Sequence, residues 1–259
     1  MTFKLFWKIV GASFMALFTA IGGIFVPVDK PDICMIAHRG YSGRYHENTE
    51  LAFVEAAKHG SGGAETDVRV TKDGVYVLSH NATVILKDGT ELSVADSTYA
   101  ELTAQPLKPK KSLFKENYLC TYKRYLEIMK EYDMVCFIEL KGDFTDSQIK
   151  EIFSIAAETY DLQKCILQSF SFDNLLKARE LFPDLPLMLT YGTDDTGYER
   201  CFDYGISIDA DYKAITEEMI EEFHSRGLEV GLWTANNIFA LSYCKSLGVD
   251  YIESDKFGG

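Results

Sequence analysis

The chain has 259 residues, 47% hydrophobic and 25% charged, which excludes a disordered chain and leaves room for one large α/β domain or two small ones. A formal net charge of −13 argues against a nucleic-acid partner, which requires a basic face. The acidic balance suits carboxylates that hold metal ions, and suits solubility equally well.

The first thirty residues stand apart from the rest. Residues 9–28 form a run of 20 positions without a charge, preceded by Lys4 and Lys8. Such a run spans a hydrocarbon core of roughly 30 Å. Lysines before the run favour an N-terminus inside and a domain on the extracytoplasmic side. A cleaved signal peptide, which would leave the domain secreted, normally has a shorter apolar region and a small-residue cleavage site. The expectation is therefore a hydrophobic N-terminal helix within residues 1–30, acting as membrane anchor or signal segment, followed by a catalytic domain over residues 31–259. The six cysteines, Cys34, Cys120, Cys136, Cys165, Cys201 and Cys244, show no zinc-type spacing. Nothing in their pattern demands disulfides.

Beyond Pro31 the pattern alternates strand and helix to the end. Strands are expected at 33–38, 64–70, 135–140, 165–170, 185–191, 206–210, 228–234 and 249–254. Helices fit at 48–59, 122–132, 146–160, 172–181, 216–225 and 237–247, with a short one at 198–204. Gly60, Gly227 and Gly248 sit where helices should stop. Residues 65–80 read as a β-hairpin about Asp73-Gly74. A turn that tight makes the returning strand antiparallel. If Val70 pairs with Val75, Glu65 lies opposite His80; if the turn is Asp73-Gly74 alone, Asp67 does. Eight parallel strands with intervening helices predict a TIM (β/α)8 barrel carrying one extra antiparallel hairpin strand after strand 2. A doubly wound sheet is disfavoured because no Gly-x-Gly-x-x-Gly follows the first strand. Residues 99–117, with Pro106, Pro109, Lys108, Lys110 and Lys111, read as a solvated loop or small insertion.

Active sites of TIM barrels lie at the C-terminal ends of the strands, so the fold selects which polar residues matter. Strand one ends in His38-Arg39-Gly40. Strand two carries Glu65 and Asp67 on one face, and His80 returns beside them. Strand three ends in Glu139-Leu140-Lys141, strand four in Gln168-Ser169-Phe170, and strand seven in Trp233-Thr234-Ala235-Asn236. Alone, each has a dull explanation, such as a structural histidine or a simple Glu139–Lys141 ion pair. Together, three carboxylates from two adjacent strands offer oxygen ligands to a hard cation, Mg²⁺ or Ca²⁺. His38 and His80 stay free as general acid and base near neutral pH. Arg39 and Lys141 can neutralise a phosphate. That set describes phosphodiester cleavage better than acyl transfer, and no Gly-x-Ser-x-Gly nucleophile motif is present.

His38-Arg39-Gly40, Glu47-Asn48-Thr49, Glu65-Thr66-Asp67-Val68, Thr71-Lys72-Asp73-Gly74, Ser79-His80, Glu139-Leu140-Lys141, Ser169-Phe170 and Trp233-Thr234 together resemble the glycerophosphodiester phosphodiesterase family. The resemblance runs in order from Ile33 to Asp255. It implies a TIM barrel, Mg²⁺ or Ca²⁺ held by Glu65, Asp67 and Glu139, and acid–base catalysis by His38 and His80. Arg39 and Lys141 match phosphate-binding positions, and Trp233 joins them on the substrate side. Glu47 is assigned to shaping its loop, with Asn48 or Thr49 capping the next helix. The implied reaction passes through a cyclic phosphate to glycerol 3-phosphate and an alcohol. The chain departs from the family at His80-Asn81, where His-Asp is usual, and at His46-Glu47-Asn48, where Pro-Glu-Asn is usual. Losing the Asp is expected to lower the pKa of His80. A phospholipase D acting on lysophospholipids is the rival enzyme reading, and a phosphodiester-binding protein without activity is the rival from another class.

Overall fold

The computed structural model describes residues 33–109 and 116–256. The apolar run at 9–28 and the pair Lys110 and Lys111 lie outside the described residues. Among the described residues no helix is long and apolar enough to cross a membrane.

Eight parallel strands close on themselves: β1 (Cys34–Ala37), β2 (Gly63–Val70), β6 (Val135–Leu140), β7 (Cys165–Ser169), β8 (Leu187–Tyr191), β9 (Ser207–Asp211), β10 (Val230–Trp233) and β11 (Tyr251–Ser254), with β11 returning to β1. The TIM-barrel expectation holds. Most of these strands are buried on both faces, which is why they read as apolar runs rather than as alternating patterns. Helices cross between them, led by Glu50–Lys58, Tyr122–Tyr132, Asp146–Thr159 and Phe172–Leu181. Three later ones follow at Arg200–Tyr204, Glu217–Ser225 and Ile238–Leu247. Their starts are set by caps: Thr49, Thr121, Thr145, Thr216 and Asn237 each accept a first-turn backbone N–H through the side chain. Gly248 closes the last helix in the left-handed conformation, as its place in the sequence predicts. All six cysteines are free thiols.

The main core lies between the strands and the surrounding helices, with Phe53, Tyr125, Phe153 and Phe223 among its buried side chains. A separate cluster of Ile36, Phe137, Ile166 and Met188 is apolar. Alternation puts Phe137 on the same face as Glu139, and Ile166 on the same face as Gln168. One layer of that face is therefore apolar, and the next, toward the C-terminal ends, is polar. The polar layer is the floor of the site.

The hairpin forms, but in neither of the two expected registers. β3 (Tyr76–Leu78) pairs with β2 so that Val70 faces Tyr76 and Val68 faces Leu78. The loop is Thr71 to Val75, tied by Thr71 Oγ1, which accepts from Val75 N and donates to Asp73. This five-residue loop shifts the register midway between the two alternatives, so His80 projects past the strand end, level with Thr66. After it comes a structured insertion, which begins well before the loop or small insertion expected at 99–117. β4 (Thr83–Ile85) and β5 (Glu91–Ser93) form a small antiparallel sheet. A short helix, Tyr99–Leu102, starts with a capping box between Thr98 and Glu101. Val77, Val84, Leu86, Val94, Leu102, Leu107 and Leu119 pack beneath these elements as a second core.

Candidate active site

The loop after β1 is the tightest part of the site. Arg39 and Gly40 both adopt left-handed backbone, φ 57° and 74°. A Cβ at Gly40 would stand 2.8 Å from the Ala52 backbone carbon, so only glycine fits there. This turn points the Arg39 N–H at Glu65 Oε2, 2.8 Å away. It leaves the His38 ring over the barrel mouth, its Nδ1 2.7 Å from Asp255 Oδ1. Asp255 is itself held by Ser42 Oγ at 2.9 Å and Asn236 Nδ2 at 2.7 Å. Burial alone would raise the Asp255 pKa; the hydrogen bond and charge of His38, with Ser42 and Asn236, hold it down at about 2.

Glu65, Asp67 and Glu139 converge. Parallel pairing of β2 with β6 sets Asp67 beside Glu139, and the two-residue period puts Glu65 on the same face. Each offers a carboxylate oxygen, and these lie within 4.8 Å of one another. Asn48, with left-handed backbone at φ 55°, donates from Nδ2 to Asp67 Oδ2 at 2.7 Å and accepts from Thr66 Oγ1 at 2.8 Å. Thr49, not Asn48, caps the helix. Lys141 Nζ sits 3.0 Å from Asp67 Oδ1 and 2.7 Å from Glu139 Oε1. Arg39 lies 3.4 Å from Asp67 and 3.6 Å from Glu47. Glu47 thus steadies Arg39 as well as shaping its loop.

The charges do not balance. Burial, then the Asp67 and Glu253 carboxylates, push Glu65 well above the usual carboxylate range. Burial likewise raises Glu139, against the pull of Lys141. Burial also works against ionised Asp67, but Lys141, Arg39 and the Asn48 bond outweigh it and hold Asp67 low. Glu65 Oε1 is buried without a hydrogen-bond partner. A divalent cation would satisfy that oxygen and supply the missing positive charge, and three hard carboxylate oxygens match Mg²⁺ or Ca²⁺. The residues fit the ion.

His80 lies beside this cluster. Its Nδ1 is 3.1 Å from Asn81 Oδ1, and Arg69 fixes the backbone by donating to the His80 carbonyl at 2.6 Å. Its pKa is lowered, chiefly by burial and the Arg39 charge, with the Asn81 bond acting in the opposite direction. Trp233 sits at the end of β10, its Nε1 donating to the Asp209 carbonyl at 3.0 Å. Its ring packs edge-on against Phe170 at 6.1 Å. All eight residues singled out in the sequence therefore lie along one end of the barrel.

Several partners escaped the sequence reading. Asp255 holds His38 and is itself held by Asn236, and Asn48 holds Asp67. Gln168 Nε2 donates to Asp209 at 2.8 Å and to Glu253 at 3.0 Å, tying together two buried carboxyls beneath the site. Burial first, then neighbouring carboxylates, raise both well above their ordinary values. A charged residue inside an otherwise apolar strand was the available signal for Asp209 and Glu253. Gly231 makes room for Asp209, since a Cβ there would stand 2.4 Å from Asp209 Oδ1.

Comparison with known proteins agrees with this geometry. The glycerophosphoryl diester phosphodiesterase family matches residues 38–258. A glycerophosphodiester phosphodiesterase of Caldanaerobacter subterraneus is 29% identical over 226 residues, covering 85% of this chain and 93% of the relative. One from Bacillus subtilis is 28% identical over 234 residues, covering 80% of this chain and 78% of the relative. Among solved structures, a glycerophosphoryl diester phosphodiesterase fold from Silicibacter pomeroyi superposes with a TM-score of 0.77 at 23% identity, covering 88% of this chain and 91% of its own. An Oleispira antarctica phosphodiesterase, solved with the product sn-glycerol-3-phosphate, gives 0.75 at 20% identity, covering 85% and 92%.

Proposed function

The chain belongs to the glycerophosphoryl diester phosphodiesterase family, and from that membership we propose that it hydrolyses glycerophosphodiesters to glycerol 3-phosphate and an alcohol. The observation that carries the reading is the convergence of Glu65, Asp67 and Glu139 with His38 and His80 at the mouth of the barrel. Glu65, Asp67 and Glu139 would hold Mg²⁺ or Ca²⁺. Such an ion supplies charge to stabilise the phosphate oxygens and to fix the diester's orientation.

Arg39 and Lys141 meet the phosphate charge, and their raised affinity for protons keeps both cationic; burial opposes this, but the carboxylates around them win. Trp233 and Phe170 form an aromatic wall beside the substrate. One histidine takes the proton from the glycerol 2-hydroxyl, whose oxygen attacks phosphorus. The other gives a proton to the departing alcohol oxygen. Water then opens the cyclic phosphate, with the two imidazoles exchanging roles. Asp255 supports this by fixing the His38 tautomer, with Nδ1–H toward the carboxylate and Nε2 toward the substrate.

The apolar run at 9–28 is proposed to anchor the domain outside the membrane, or to direct its secretion if cleaved; fractionating cells that express the full chain distinguishes the two. The activity itself is tested by incubating the purified chain with a panel of glycerophosphodiesters and lysophospholipids, with chelator and with Mg²⁺ or Ca²⁺ restored. Metal-dependent release of glycerol 3-phosphate from the diesters supports the reading. Preferential release of head groups from lysophospholipids would replace it with the phospholipase D alternative.

A further inference from the structure

His38 and His80 are held by unlike devices. A carboxylate, Asp255, meets the His38 ring at 2.7 Å. The His80 ring meets the neutral side chain of Asn81 at 3.1 Å, in an exposed bond for which water competes. The backbone of His80 is held far better than its ring. We propose that Arg69 is a positioning residue that acts through His80, and that it does for this imidazole what Asp255 does for the other. The inference rests on the phosphodiesterase reading above, in which His80 moves a proton.

The two-residue period puts Arg69 on the same face of β2 as Glu65 and Asp67, one step nearer the rim. Backbone pairing with β2 runs as far as Ser79, whose N–H donates to the Asp67 carbonyl at 2.9 Å. There the chain leaves the sheet, and one edge of the Arg69 guanidinium takes over. Nε donates to the Ser79 carbonyl at 2.9 Å, and Nη2 donates to the His80 carbonyl at 2.6 Å. Bonds from a cation are roughly twice as strong as neutral ones, and the planar fork fixes direction as well as distance. Ser79 Oγ braces the same turn by donating to the Asn81 carbonyl at 2.9 Å. The fork therefore sets where the chain stands as it leaves β3, and with it where the imidazole stands beside the carboxylates. The rival role for Arg69 is a direct phosphate contact. Its Nε and Nη2 are already committed to two consecutive carbonyls, which is the geometry of a backbone clamp.

The test is a mutant cycle on the full chain with metal present, using Arg69→Gln, Arg69→Lys and His80→Ala. Arg69 is only half-buried, so the fold tolerates either replacement. Arg69→Gln should lower kcat on an alkyl glycerophosphodiester by about 10- to 100-fold, the scale of losing an orienting partner, with KM changed by less than about twofold. Arg69→Lys keeps the charge but not the fork, and should fall with it. Added to His80→Ala, Arg69→Gln should cost nothing more, because the group it positions is gone. The His80 ring-proton signal in NMR, identified by its absence from His80→Ala, should move in Arg69→Gln while the His38 signal stays. An unchanged kcat, or a loss in the His80→Ala background as large as in wild type, would overturn the proposal. So would a loss confined to KM and repaired by Arg69→Lys, which would make Arg69 a phosphate contact. A wild type that releases no glycerol 3-phosphate would overturn the reading of the reaction instead, and the ring signals would then decide the clamp.

Discussion

His38 and Asp255 are 217 residues apart in sequence, yet Nδ1 of one lies 2.7 Å from Oδ1 of the other. Closure of the barrel, with β11 returning to β1, brings them together. Asp255→Asn keeps the shape but removes the charge, and should lower kcat by roughly 10- to 100-fold, as loss of an orienting partner does. Substrate KM should stay nearly constant. The same pair has a stability signature. Asp255 has a folded pKa of about 2, below its unfolded value, so its contribution is present above the unfolded pKa and is lost as pH falls toward 2. Urea melts between pH 5 and pH 2 (about 3 units around the carboxylate range) should show a steeper loss in wild type than in Asp255→Asn.

Glu65 behaves in the opposite sense. Its folded pKa is raised by burial and by Asp67, so in metal-free protein its contribution is favourable below the unfolded carboxylate pKa and is lost as pH rises. Glu65→Gln should therefore leave the metal-free protein as stable as wild type or more so at neutral pH, while abolishing stabilisation by Mg²⁺ or Ca²⁺. At a metal concentration 100-fold above Kd, wild type should gain about 2.7 kcal/mol. Calorimetry in buffers of different ionisation enthalpy should record proton release when the ion binds. A metal-free Glu65→Gln protein that melts well below wild type would contradict this.

The two imidazoles can be told apart by the leaving group. His38→Ala and His80→Ala should each cost roughly 10²–10⁴-fold on alkyl diesters. A p-nitrophenyl diester departs without needing a proton. The alanine variant that recovers most of its rate on that substrate identifies the histidine that protonates the departing alcohol, and the other should recover little.

Gly40→Ala tests the turn that carries the site. Its backbone sits at φ 74°, and the added Cβ would press on Ala52 at 2.8 Å. Strain of about 1–3 kcal/mol is expected, read as a lower denaturation midpoint. Activity should fall further than stability alone explains, because the Arg39 N–H moves off Glu65.

Eight strands were legible because runs buried on both faces leave a compositional mark, and Val135–Leu140 and Tyr122–Tyr132 match their expected bounds residue for residue. The candidate carboxylate cluster was legible through the two-residue spacings Glu65–Asp67 and Glu139–Lys141. The hairpin register was not, because it depends on one extra loop residue, fixed by the Thr71 side chain. The roles of Asp255, Asn236 and Asn48 were not legible for a different reason: they exist only in contacts between segments well separated in sequence. The insertion was only partly legible, because its strands Thr83–Ile85 and Glu91–Ser93 and its helix Tyr99–Leu102 are too short to leave a periodic pattern.

The seven apolar residues beneath β4 and β5 form a core separate from that of the barrel. Their cohesion is largely their own, so this patch can open and reclose while the barrel stays shut. Amide exchange should fall into two cooperative groups, a faster one over Thr83–Ile85 and Glu91–Ser93 and a slower one over the eight parallel strands. For a lineage of such enzymes, that separation makes the insertion an exchangeable part: it can be lengthened, rebuilt or traded while the carboxylates and histidines below keep their places.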